Sequence, residues 1–69
     1  MTKFSEMLVG KKFRDIDKIC VKIHGIKYEH WNHMVPANSV IVGGSPDIGS
    51  LLYYDNDIMV DEMLEITNT

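Results

Sequence analysis

The stretch Lys18–Val35, KICVKIHGIKYEHWNHMV, constrains this chain most. Ile19, Val21 and Ile23 fall on one side of its alternation, and Lys18, Cys20, Lys22 and His24 on the other. A period of two is that of a half-buried strand, and β-branched residues favour the extended backbone. His24-Gly25 interrupts the pattern. A two-residue turn with positive φ at both positions accepts His tolerably and Gly readily. Residues 18–35 therefore read as a β-hairpin turning at His24-Gly25. That pairing sets Ile23 opposite Ile26, Val21 opposite Tyr28 and Ile19 opposite His30. It also sets Lys22 opposite Lys27, an unfavourable juxtaposition of like charges. A three-residue loop removes the clash but turns the second strand over. Both versions stay open, with the two-residue one preferred.

Elsewhere the signals are shorter. Phe4, Met7 and Leu8 have helical spacing for about one turn, with Thr2 placed to cap it and Gly10 to end it. Pro36 breaks the alternation, VIVG (40–43) reads as a short buried strand, and GGSPDIGS (43–50) as a loop. LLYYDNDIMV (51–60) reads as two strands about a tight DND turn. Residues 58–66 fit a strand at 58–60 followed by a bulge or a turn of helix, and periodicity does not separate the two.

Sixty-nine residues make one domain, 1–69. Apolar residues are 45% of the chain, enough for a core. A core this small stabilises by only about 3–5 kcal/mol, so a partner or a second copy of the chain would help. The single Cys20 excludes an internal disulfide. No apolar run reaches signal-peptide or membrane-span length, so a cytoplasmic location is expected, that of the host cell if the chain is phage-encoded.

Charge is unevenly distributed. All seven basic residues lie in residues 1–27, which carry +4, whereas residues 28–69 carry −7. The basic half offers Lys11, Lys12, Arg14, Lys22 and Lys27 as a nucleic-acid stripe, with Phe13, Tyr28 and Trp31 for stacking. The acidic half offers Asp55, Asp57, Asp61 and Glu62 as a surface that could occupy the phosphate-reading groove of a host nucleic-acid-handling or defence protein. Small barrels mix distant segments on every face, which would average out the asymmetry.

Catalytic motifs are weak. Cys20, His24, His30 and His33 supply zinc-ligand types, but strand geometry sends His30 and His33 to opposite faces, so the quartet cannot close on one ion. Cys20 as a nucleophile would need a thiolate-stabilising neighbour. GGSPDIGS lacks the lysine of a phosphate loop. Asp55/Asp57 and Asp61/Glu62 would need a cleft to act hydrolytically. No catalysis, metal or other cofactor is expected.

Phe4, Leu8, Gly10 and Phe13, followed by a strand ending Val21-Lys22-Ile23, together with NSVIVGG (38–44) and DNDIMV (55–60), resemble the pattern of a loose group of small phage and prophage proteins. The resemblance implies a strongly bent sheet or barrel similar to the Src-homology-3 type and no established activity. YEHWNHMVPA (28–37) departs from the compact version.

The expected fold is mainly β, a small bent sheet or barrel of four to five short strands with a short N-terminal helical turn. Its expected core is Phe4, Leu8, Phe13, Ile19, Val21, Ile23, Ile26, Tyr28, Val40, Val42, Leu52, Ile58 and Val60. The expected function is binding of a protein partner of host or phage through Trp31, His33, Asp55, Asp57, Asp61 and Glu62, with homo-oligomerisation as a further expectation. Nucleic-acid binding and zinc binding are the alternatives.

Overall fold

A computed structural model describes residues 1–63. They form one antiparallel sheet of six strands: β1 (Thr2–Lys3), β2 (Lys12–Asp15), β3 (Lys18–His30), β4 (His33–Gly43), β5 (Leu51–Leu52) and β6 (Met59–Glu62), in the order β1-β6-β2-β3-β4-β5. One turn of 3-10 helix, Phe4–Glu6, follows β1. The mainly β expectation with a short N-terminal turn is borne out, with six strands instead of four or five. Residues 51–60 do not form a hairpin: β5 pairs with β4, and β6 pairs with β1 and β2. Residues 59–62 are strand, and the helical alternative for 64–66 lies outside the described residues.

The main hairpin turns at Trp31-Asn32, seven residues beyond His24-Gly25. Trp31 and Asn32 both have positive φ, 52° and 63°. A turn of this hand matches the right-handed twist of the strands it joins. His24-Gly25 instead lies in a bulge. Lys22 pairs with Ser39 and Ile26 with Ala37, so Ile23, His24 and Gly25 together oppose Asn38. The bulge adds two residues to β3 and so keeps the same face inward on either side of it. It also removes the Lys22–Lys27 clash, because Lys27 now pairs with Pro36. Pro36 does not end the strand. It lies where β3 and β4 have only each other as strand partners, a position that tolerates a missing N–H.

The alternation marks the strand, but its inner face is the opposite of the expected one. Cys20, Ala37, Ser39 and Ile41 are buried, while Ile19, Val21, Ile23 and Val40 are half-buried on the other side. The reason is volume. Phe4, Phe13 and Tyr54 pack over this face, with ring centroids 5.6 Å (Phe4–Phe13), 5.5 Å (Phe4–Tyr54) and 5.2 Å (Phe13–Tyr54) apart. The small side chains of Cys20, Ala37 and Ser39 leave room for these rings. Met7 and Val60 complete the cluster and Leu52 packs against it. Of the expected core, Phe4, Phe13 and Val60 are buried and Leu52 is partly so; Leu8, Ile26, Val42 and Ile58 are exposed. Met7 takes the place expected of Leu8, because the helical turn ends at Glu6 and Met7 is extended.

Three polar ties close the structure. The Lys22 ammonium donates to the carbonyls of Phe4 and Met7, each at 2.7 Å, and lies 4.6 Å from the centre of the Phe4 ring. It thereby holds the helical turn on the sheet. Asn38 accepts from the Tyr54 N–H and donates to the Tyr54 carbonyl. The Tyr54 hydroxyl donates to Asp15 at 2.6 Å. Tyr54 follows β5 at one end of the strand order and Phe4 follows β1 at the other, so their stacking shows how far the sheet curls.

Candidate interaction surface

Beyond the bulge, and among the described residues, Ile26–His30 of β3 and His33–Ala37 of β4 have only each other as strand partners. They form a two-stranded arm, and the molecule is elongated, 44 × 26 × 23 Å. The arm needs only local pairing to form: Tyr28 pairs with Val35, Glu29 with Met34, and His30 with His33. Directly opposed side chains share a face, so Ile26, Tyr28, His30, His33, Val35 and Ala37 lie on one side, and Lys27, Glu29, Met34 and Pro36 on the other.

The arm's tip is aromatic and open. Trp31 is 82% exposed at the apex, and Met34 is 63% exposed behind it. The His30 ring stands edge-on to both neighbours, 6.2 Å from Tyr28 and 6.0 Å from Trp31. Such edge-to-face contacts hold rings in place while leaving their outer surfaces free.

The expected partner-binding residues fall into two separate groups. Trp31 and His33 meet at the tip. Asp55 and Asp57 lie in the β5–β6 connection, and Asp61 and Glu62 lie on β6 opposite Arg14 and Phe13. Arg14 and Phe13 pair with the first residues of β3, whereas Trp31 lies beyond its last. The acidic group is therefore remote from the tip.

The basic stripe does not assemble. Lys22 is committed to the Phe4 and Met7 carbonyls. Lys12 and Arg14 project from the outer face of β2, on the opposite side from Lys11 and Phe13, and Arg14 pairs with Asp61. Lys27 is on the arm.

The four-ligand zinc reading is overturned. Cys20 is buried in the core, and His30 lies ten residues further along the same strand, on the order of 30 Å away. Among the described residues, no three His, Cys, Asp or Glu side chains group as metal ligands. His30 and His33 do not point to opposite faces: they flank a two-residue turn and pair directly.

Cys20 is a poor nucleophile. Burial pushes its thiol up, and the Tyr54 hydroxyl beside it offsets this only in part. The Tyr54 phenol is itself held well above its ordinary range, first by burial and then by the hydrogen bond it donates to Asp15. Among the described residues no pocket opens to the surface, and no helix is long and apolar enough to cross a membrane.

One exposed residue was not anticipated from the sequence. Ile16, at the two-residue turn joining β2 to β3, has φ 58° and is 86% exposed. Asp15 and Lys18 close that turn as a cross-strand pair, and RDIDK carries the opposite charges that could have marked it.

Comparison with protein-family models, curated proteins and solved structures finds no match to this chain.

Proposed function

We infer that this chain is a protein-binding module that engages its partner with the tip of the β3–β4 arm. The observation that carries the reading is Trp31: the chain's one tryptophan, 82% exposed at the apex of a projecting hairpin with the His30 ring edge-on beside it. Tryptophan anchors are enriched among the residues that dominate interface energies. The arm's edges are poorly suited to adding a strand, since Pro36 interrupts one and the bulge at Ile23–Gly25 distorts the other. Recognition would therefore go through side chains at the tip.

A second reading places the contact on the carboxylates. Asp55, Asp57 and Asp61 are all exposed, as a mimic of a phosphate backbone would require. In that case the chain is an accessory protein of phage type that blocks a host nucleic-acid-handling or defence protein.

Quantitative capture from lysate with two variants separates the readings. Trp31→Ser should lose the captured protein, while the combined Asp55→Asn, Asp57→Asn, Asp61→Asn and Glu62→Gln variant should keep it. The reverse pattern establishes the acidic reading, and full capture by both variants excludes both.

A further inference from the structure

The arm brings together two metal-ligating side chains on one face of its tip. His30 and His33 are directly paired across the strands, one residue from the apex on either side, and both are exposed. Directly opposed Cβ atoms stand about 4.5–5.5 Å apart on one face. From there two imidazoles can converge on one ion at the zinc–nitrogen distance of about 2.0–2.1 Å. His30 is flanked by the Tyr28 and Trp31 rings, at 6.2 and 6.0 Å, so it is partly pre-oriented.

Two imidazoles leave a tetrahedral ion half-coordinated. Among the described residues, no third His, Cys, Asp or Glu joins them. Glu29 is nearest in sequence, but it pairs with Met34 and so occupies the other face of the arm. The missing ligands must come from outside the described chain. A second copy offers the same pair, on an arm that projects clear of its own sheet, and a two-fold axis through the ion would bring four imidazoles around it. Trp31, at the apex between His30 and His33, is exposed and would be covered in such a pairing.

We propose that His30 and His33 form a half-site for a zinc-class divalent transition metal, completed by the same two residues of a second copy. The metal would thus join two molecules tip to tip. The inference does not rest on the protein-partner reading, and its test uses the purified chain alone, so failure here leaves that reading standing.

Two measurements test it. Sedimentation of the purified chain with a small molar excess of Zn²⁺ should give twice the 7.9 kDa chain mass, with one ion per two chains, and EDTA should return the monomer. His30→Ala and His33→Ala should each abolish the shift, and Cys20→Ser should keep it. In parallel, Cu²⁺ should quench the fluorescence of Trp31, the single tryptophan, saturably in the native chain and only weakly in either histidine variant. A monomeric complex with one ion per chain would overturn the proposal. So would the absence of any mass shift with Zn²⁺, or a dimer that survives EDTA or either histidine substitution.

Discussion

Two hairpin turns of this chain share a backbone peculiarity and differ in everything around it. Ile16 at the β2–β3 turn and Trp31 at the β3–β4 turn both sit in the left-handed region, with φ of 58° and 52°, and both are more than four-fifths exposed. The Ile16 turn is embedded. Asp15 beside it receives the Tyr54 hydroxyl, and the Asp17 carbonyl on its other side lies so close to Gly44 that a Cβ there would collide with it. The Trp31 turn closes an arm that nothing else in the sheet supports. A left-handed residue is thus built into the sheet at one turn and presented on the arm at the other, and the difference lies in long-range contacts.

That contrast can be broken by mutation. Tyr54→Ala should have the largest effect. It removes a buried ring that stacks on Phe4 and meets Phe13 edge to face, and the hydroxyl that anchors Asp15, costing about 3–5 kcal/mol, much of the stability of a domain this small. Trp31→Ala should change the unfolding free energy measured in urea by no more than about 0.5 kcal/mol, because its ring supports no core. Comparable losses from the two variants would refute the division between embedded and presented turns.

Lys22→Met keeps the aliphatic stem but loses two charge-assisted bonds to the Phe4 and Met7 carbonyls. The expected cost is about 1.5–3 kcal/mol, and amide exchange should speed up first near residues 4–7. Uniform acceleration across the sheet would show that Lys22 does not hold the helical turn in particular.

Ile16→Gly should stabilise the chain by about 1 kcal/mol, because a β-branched residue at positive φ is strained and glycine is not. A higher denaturant midpoint with an unchanged slope would confirm it. Loss of stability would mean that the Ile16 side chain makes contacts that outweigh its strain.

The smallest effect is on pH dependence. The Cys20 thiol and the Tyr54 phenol are both raised in the folded state, from ordinary values of 9.0 and 10.0. Above those values the unfolded chain releases the two protons before the folded one does, so stability declines as pH rises. Their contribution should be fully present at neutral pH and fall away progressively above about pH 9. Tyr54→Phe should flatten the alkaline limb, and an unchanged limb would show that the phenol is not its source.

The positions of strands were legible in the sequence to different degrees. The alternation from Lys18 onward marks extended strand, but it divides β3 at Gly25 and assigns Ile26–His30, which belong to β3, to the hairpin partner; the true partner is His33–Gly43. The turn was misplaced because Gly25 is the better local turn former, whereas Trp31-Asn32 is selected by pairings such as Lys22 with Ser39 and Asn38's hold on Tyr54. The candidate tip was only half legible. Trp31 and His33 stand out in the sequence as expected contact residues, but the His30–His33 pairing is hidden there, because no local signal marks Trp31-Asn32 as a turn.

By itself the sequence determined the mainly β class, the aromatic and β-branched content of the strands and the one-sided distribution of charge. These follow from composition and from periodicities two residues long, which each segment carries locally. Tertiary structure decided which face of β3 turned inward, where the chain reversed, and which ionisable groups became neighbours. Those outcomes depend on volume and hydrogen bonding between residues far apart in the chain. Tyr54 meets Asp15, Lys22 meets Phe4, and three rings fit only over the side of the sheet where Cys20, Ala37 and Ser39 leave space.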